Sequence, residues 1–444
     1  MPLSVPQQGQ DAGGTTAERR LRAVLQSAVV LAAMVAGFLG SPGLFVGDTV
    51  TSRMATVYAL THDGTWFIDR PPEAPPNPFE PQTIDKVVLP NGRLISSKPP
   101  LLPLLMTAEY AALRRFAGWD LDNPGDLKPV LRVMVLTLAQ LPFWLGLAGF
   151  ALLVNLFIAR PWRAAFPVLL LGLASPVPGY AQQLNNHTPA LAALIWVLYL
   201  SAGLASNRLR PAGWRFALLG LLAGLVFCMD MPVTIYAALA GLFVVARHPK
   251  AALLWGGLGA LLPLAVHFGA MWMITGDPRP VQVRGETYLF ENSYWRNPLG
   301  IDALNEPRLV YLFHMTFGRF GMFLLFPVLL AAAPGAAEAV RRNTGGMRPA
   351  VPALLAGFAV LTLYYLFSTN NYGGAAYGFR WYLGSVPVLL ALGIPVFARV
   401  RSPWAWALIA AACAVSCYSA WECLRAPWGD SHEWTCRLLF GPAV

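Results

Sequence analysis

The sequence predicts an all-α, polytopic membrane protein, and three observations predict it. The first is composition: 56% of the 444 residues are hydrophobic and only 12% are charged, against roughly 25% charged in soluble domains, and mean hydropathy is +0.51. The second is the recurrence of apolar runs long enough to cross a bilayer, which at ~20 residues each leaves room for about ten to twelve membrane helices. The third is the placing of basic residues. The net charge of +10 is spread over small groups at the ends of apolar runs, among them Arg19, Arg20 and Arg22, Arg160 and Arg163, Arg208, Arg210 and Arg215, and Arg399 and Arg401. That is the positive-inside pattern, and it argues against a nucleic-acid partner.

The elements follow in order. Residues 1–20 read as a disordered cytoplasmic tail, and the run from Leu21 to Leu44 as an uncleaved first span, too long for a signal-peptide core. Residues 21–444 form one membrane domain, interrupted by outer loops at 48–98 and 276–308. Apolar segments are expected near 100–117, 130–158, 164–183, 188–206, 213–229, 233–246, 251–275, 309–333, 350–368, 378–398 and 403–423. The arginine groups put the joints near 160, 210, 248, 342 and 400 in the cytoplasm. Parity then fails across 100–129: either the segment from Pro100 dips in and returns, or a later one does not cross. No internal repeat is visible, which weakens a transporter built from duplicated halves. The five cysteines form no CxxC pair and have no histidine at zinc spacing; Cys423 and Cys436 could pair on the outer side, and otherwise the cysteines are small apolar residues.

The stretch from Asp48 to Leu101 is the informative one. Val50, Met54, Val57 and Tyr58 recur at helical spacing among polar residues, which predicts an amphipathic helix lying in the interface. Asp48 stands where its N-cap would be. That structural role is compatible with a chemical one, because a carboxylate held ionised at a helix start can act as a base. Asp63-Gly64 turns the chain, with His62 expected in solvent, and Pro71 to Pro81 is an extended spacer. Asn91-Gly92 marks a small β-hairpin. Ser97-Lys98-Pro99-Pro100 opens the next helix, leaving Lys98 either to snorkel or to bind phosphate at a helix start.

Gly47-Asp48 after the first span, Arg53 and Ala55 in the helix, Asp63-Gly64-Thr65-Trp66, then Lys98-Pro99-Pro100-Leu101: this order resembles the first outer loop of the GT-C membrane glycosyltransferases. It is most similar to the branch containing lipid A aminoarabinose transferases and protein O-mannosyltransferases. The resemblance implies a GT-C-like bundle in the bacterial inner membrane with its N-terminus in the cytoplasm, and a polyprenyl-phosphate sugar donor. It makes Asp48 the catalytic carboxylate and Lys98 a ligand of the donor phosphate, with Arg53 a substrate-binding candidate. Many relatives carry a second acidic residue where Thr49 stands here, and a second acidic motif near residue 185, where this chain has Asn185, Asn186 and His187.

Elsewhere on the outer face, Asn186 and His187 suit sugar hydroxyls, and each also has a plain structural role. Asp230 reads as a helix cap or as part of the site. Arg284, among the aromatic residues of the second loop, and Arg380, in a Tyr377-Gly378-Phe379-Arg380 segment similar to one in bacterial GT-C-like proteins, are further phosphate candidates, with Tyr377 beside the substrate. The function expected is sugar transfer, with inversion, from the lipid phosphate to an extracytoplasmic hydroxyl of a lipid, glycan or protein. No cofactor is required by this reading, and a divalent metal is compatible with it. The competing expectations are a lipid or solute transporter, for which Glu109, His267 and Glu422 are the intramembrane ionisable candidates, and a GT-C-like body without catalysis.

Overall fold

Two parallel helices laid beside a helical bundle organise the molecule. The computed structural model describes residues 14–40, 43, 44, 46–343 and 346–429. Helix α1 runs Thr16–Gly40, taking in the arginines that the sequence assigns to a disordered tail. The bundle continues with α4 (Leu127–Asn155), α5 (Pro161–Leu173), α6 (His187–Ala205), α7 (Gly213–Met229), α8 (Met231–Arg247), α9 (Pro249–Thr275), α12 (Ala350–Ser368), α13 (Ser385–Arg399) and α14 (Pro403–Arg425). Shorter helices α10 (Arg308–Thr316) and α11 (Ala332–Arg342) lie between α9 and α12. Six of these helices are long and apolar enough to cross a membrane, and four shorter ones are apolar throughout. The chain is a multi-pass membrane protein.

Arginines collect at one end of the bundle. The Arg22 guanidinium donates to the Ile158 carbonyl (3.0 Å), Arg208 to Leu156, and Arg163 to Ala398 (2.5 Å) and Val400 (2.9 Å). The joints that composition grouped together therefore meet in space.

The predicted span at 309–333 does not form as one helix. The chain breaks after Thr316, where Gly318 and Gly321 turn it through bonds to Phe313 and Gly318, and again before Pro327, which cannot donate to the preceding turn.

The first outer loop holds helix α2 (Asp48–Tyr58), a hairpin of β1 (Lys86–Val88) and β2 (Leu94–Ser96), and helix α3 (Leu101–Ala117). Lys86 lies opposite Ser96 and Val88 opposite Leu94, with Gly92 at φ +80 in the turn that Asn-Gly favours. The expectation that α2 lies in the interface is corrected: every residue from Val50 to Tyr58 is buried, because α3 and the residues around Phe79 cover its outer side. The hairpin is seated on the last turns of α9 through Val87, Ile95, Met271 and Ile274.

Helix α3 resolves the parity conflict. It begins beside the hairpin at Lys98, and the connection that follows it returns to the end of α2, where His62 meets Asp120 and Tyr58 meets Asp122. Both ends of α3 thus lie with the ends of α2, and its 17 residues are not among the helices long and apolar enough to cross a membrane. The segment from Pro100 therefore runs alongside α2, in the same direction.

Candidate active site

Asp48 is the first residue of α2 rather than its cap. Gly47, in extended conformation, takes the cap position, and its carbonyl receives the Val50 and Thr51 amides. The Asp48 carboxylate instead accepts the Ile84 amide at 3.0 Å, while its carbonyl accepts the Thr83 hydroxyl at 2.9 Å. One turn on, the Ser52 hydroxyl donates to the Asp85 carbonyl at 2.5 Å. These small polar side chains fasten residues 83–85 to the start of α2, and the Asp48 carboxylate stays exposed.

Arg53 leaves the same helix on another side and is 2% exposed. Its guanidinium donates to the Thr49 carbonyl (2.8 Å) and to Asn186 Oδ1 (2.7 Å). Its Nε is buried with no acceptor among the described residues. Burial pulls its pKa down to about 10; Asp85 opposes the shift and Arg380 adds to it.

Lys98 arrives through the hairpin. Its ammonium lies 2.7 Å from Asp85 Oδ2, and burial lowers its pKa, with Asp85 opposing and Arg53 and Arg380 reinforcing the shift. Arg380 comes from the far side of the bundle, over the ring of Trp428 at 5.0 Å. Gly373, at φ +89, is needed there, since a Cβ would stand 2.9 Å from Arg380 Nε. That Nε too is buried without an acceptor among the described residues. Burial lowers the Arg380 pKa, and Tyr180, Asp85, Asp230 and Asp302 oppose the shift. Arg53, Lys98 and Arg380 thus lie within electrostatic reach of one another, around Asp85.

The neighbouring wall is built by helix ends. Asn186, which holds Arg53, donates to the Met229 carbonyl at 2.8 Å, and next to it His187 Nδ1 lies 2.7 Å from Asp230 Oδ2. Asp230 makes no side-chain cap bond; the cap reading is corrected to a buried partner of His187. The structure therefore brings Arg53, Lys98, Asn186, His187 and Arg380 into one region, and ties Asp48 to its edge through residues 83–85.

Two candidates are engaged elsewhere. Arg284 is paired with Asp277 (3.0 Å) and donates to the Arg279 carbonyl (3.0 Å) in its own loop. The Tyr377 hydroxyl donates to Glu422 (2.9 Å) and the residue is buried, so its part is to brace Arg380's segment. Cys436 lies outside the described residues.

Asp85 is the group that sequence reasoning missed; for Asp230, expected as a cap or a site residue, the pairing with His187 favours the second. The hairpin carried a usable signal for Asp85: once Asn91-Gly92 pairs residue 88 with 94 and residue 86 with 96, residue 85 falls beside 97 and 98. Trp295 of the second large loop donates to the Ile84 carbonyl at 3.0 Å, covering this strand end. Two apolar cavities adjoin the cations. One, no larger than a water or so, lies beside Lys98, between Trp66, Pro103, Met271 and Ile274; the other, equally small, lies beside Arg380, between Tyr180, Phe326, Tyr377 and Leu383.

Among the described residues, one group has the make-up of a cation site, and it lies away from this region: His62, Asp120 and Asp122. The expectation that His62 is solvated is corrected, for its side chain is 8% exposed and its ring stacks on Tyr58 at 4.0 Å.

No protein-family model matches the chain, and no curated protein matches it. Solved structures do. The apo crystal structure of the Archaeoglobus fulgidus oligosaccharyltransferase superposes with a TM-score of 0.51 at 13% identity, over 92% of this chain and 56% of the archaeal one. The oligosaccharyltransferase AglB from the same organism, in complex with an inhibitory peptide and a dolichol-phosphate, gives 0.51 at 12% identity over 93% and 56%. The chain spans little more than half of that protein's length. At this identity the likeness is one of fold, and the fold is that of the GT-C class.

Proposed function

We propose that the protein is a membrane glycosyltransferase that moves a sugar from a polyprenyl-phosphate donor to an extracytoplasmic acceptor hydroxyl, with inversion. The observation that carries this reading is the gathering of three buried cations, Arg53, Lys98 and Arg380, within electrostatic reach of one another, with Asp85 in direct contact with Lys98 alone. Buried charges are costly unless matched, and two of these guanidinium groups keep an N–H with no acceptor among the described residues. An anion with several oxygen acceptors satisfies them. The N-termini of α2 and α3 point at the same place and favour negative charge further.

In this reading the acceptor oxygen forms a bond to the anomeric carbon from the face opposite the phosphate. The bond from that carbon to the phosphate oxygen breaks, and its electron pair leaves with the phosphate, which gains one negative charge. The cations stabilise that charge as it develops. Asp48, whose carboxylate is exposed at the start of α2, takes the acceptor's proton. Asn186 and His187, the latter held by Asp230, offer hydrogen bonds to sugar hydroxyls.

The similarity to a protein solved with dolichol-phosphate supports a lipid-phosphate donor. The test is to incubate the purified full chain with polyprenyl-phosphate sugars and candidate lipid, glycan and peptide acceptors, and to measure release of polyprenyl phosphate. The expected result is release that requires Lys98 and Asp48. Failure to bind polyprenyl phosphate, together with no release from any donor, overturns the proposal.

A further inference from the structure

The far end of the α2–α3 pair carries a second arrangement, separate from the proposed transfer. Residues Ala59–Asp63 continue α2 as one wide turn, which Gly64 closes at φ +65. This presents His62 to the Trp119–Asp126 connection. His62 Nδ1 lies 3.1 Å from the Tyr58 carbonyl and 3.1 Å from Thr61 Oγ1, and the Thr61 hydroxyl is already donated to the Val57 carbonyl at 2.7 Å. Nδ1 therefore meets only acceptors and must carry the ring proton. That leaves Nε2, on a ring more than nine-tenths buried, aimed at two further acceptors: Asp120 Oδ1 at 3.3 Å and Asp122 Oδ2 at 3.9 Å.

Each of the three groups is held from behind. The other oxygen of Asp120 is paired with Arg114 at 2.8 Å, and the other oxygen of Asp122 accepts the Tyr58 hydroxyl at 2.6 Å. Asp120 Oδ1 also receives the Asp122 amide at 3.1 Å. Three lone-pair-bearing atoms thus lie within 4.8 Å of one another. Two carboxylates face one arginine here, and the C-terminal ends of α2 and α3 meet at the same place and favour a cation further. An imidazole whose second nitrogen donates to a backbone carbonyl, beside carboxylates oriented by a phenol and a guanidinium, is how protein metal ligands are held.

We propose that His62 Nε2, Asp120 Oδ1 and Asp122 Oδ2 bind one divalent transition-metal ion of the zinc class, clamping the end of α2 to the α3–α4 connection. One imidazole with two carboxylates suits zinc or manganese; copper(I) prefers sulfur ligands, and magnesium keeps to oxygen. Bond lengths of about 2.0–2.2 Å require the three atoms to close in by roughly an ångström, which a small rotation of the 62% exposed Asp122 side chain about its hydrogen bond to Tyr58 supplies. Water completes the coordination. The ion sits about 20 Å along α2 from Asp48, at ~1.5 Å per residue, so its role is to fix the platform that carries Arg53 and not to take part in transfer.

The test uses the full chain in detergent, stripped with EDTA, and titrates it with zinc chloride by calorimetry and thermal unfolding. The expected result is one saturable equivalent with a raised unfolding temperature in the wild type, lost in Asp122→Asn. Asp122→Asn should unfold like the stripped wild type when EDTA is present, which shows that it is folded. Tyr58→Phe, which keeps all three ligands and removes only the phenol behind Asp122, should weaken zinc by ~10- to 100-fold. Equal stoichiometry and affinity in wild type and Asp122→Asn overturns the site. So does a wild type that takes up no zinc, the result expected if a protonated His62 simply pairs with the two aspartates.

Discussion

The two ends of the α2–α3 pair are built from similar parts with opposite sign. At the N-terminal end, Arg53 and Lys98, joined by Arg380, lie within electrostatic reach of one carboxylate, Asp85. At the C-terminal end, Asp120 and Asp122, joined by His62, face one guanidinium, Arg114. Because the helices run the same way, their dipoles reinforce both ends, positive at the first and negative at the second. As proposed, one scaffold holds an anion site and a cation site at opposite ends, and the parallel packing lets the helix dipoles favour both.

The largest effect should separate the ends by chemistry. Asp48→Asn is expected to lower the rate of sugar transfer by ~10²- to 10⁴-fold, the range for loss of a general base. Donor affinity should stay within a few-fold of wild type, because the carboxylate's one bond, from the Ile84 amide, can be accepted by the asparagine's side-chain carbonyl. Undiminished transfer, measured as released polyprenyl phosphate, removes Asp48 from the chemistry. Next in size, Lys98→Ala should weaken binding of polyprenyl phosphate by ~10- to 100-fold, corresponding to about 1.5–3 kcal/mol for a hydrogen bond to a charged group. Zinc uptake at the other end should be unchanged in both variants. A change in zinc affinity would break the independence of the two ends.

How far this arrangement was legible depended on whether a partner could be located along the chain. The spans, the Asp63-Gly64 and Asn91-Gly92 turns, the hairpin, Lys98 and Arg380 follow from hydropathy, turn chemistry and charge at helix mouths, all local signals. The burial of α2 did not follow, since its polar residues Thr51, Ser52 and Thr56 imitate a wetted face and are in truth buried against the hairpin and the helix's own carbonyls. The crossing of α3 was undecidable by hydropathy, because a buried surface helix and a short span are equally apolar. The pairing of His187 with Asp230 was within reach: α6 and α7 form an antiparallel hairpin, so the first residue of one and the residue after the other lie at one level. The acidic end was hidden because His62 and Asp120 are far apart in sequence, and each looks like an ordinary loop residue.

A smaller effect sharpens the first end. Asp85 competes with any anion for Lys98, and Asp85→Asn is expected to tighten polyprenyl phosphate by up to ~10-fold, about 1.4 kcal/mol, while slowing turnover through slower product release. Calorimetry on the folded variant checks it. Weaker binding would mean that Asp85 serves to aim Lys98 rather than to compete for it.

The smallest effect is a proton count, and its sign can be worked out. Burial lowers the Lys98 pKa below the usual 10.5, and takes Arg53 to about 10. A basic group with a lowered folded pKa holds its proton at a cost in the folded state. Stability contributed by Lys98 should therefore rise as pH climbs through the lowered value toward the unfolded one. Anion binding should run the other way: in the same alkaline window the free protein has shed part of its positive charge, and a bound phosphate restores it. Binding of polyprenyl phosphate should thus take up protons between the lowered pKa and about pH 10.5, and none near pH 7. Calorimetry in buffers of different ionisation enthalpy reads the uptake directly, and Lys98→Met should reduce it to the part owed to Arg53.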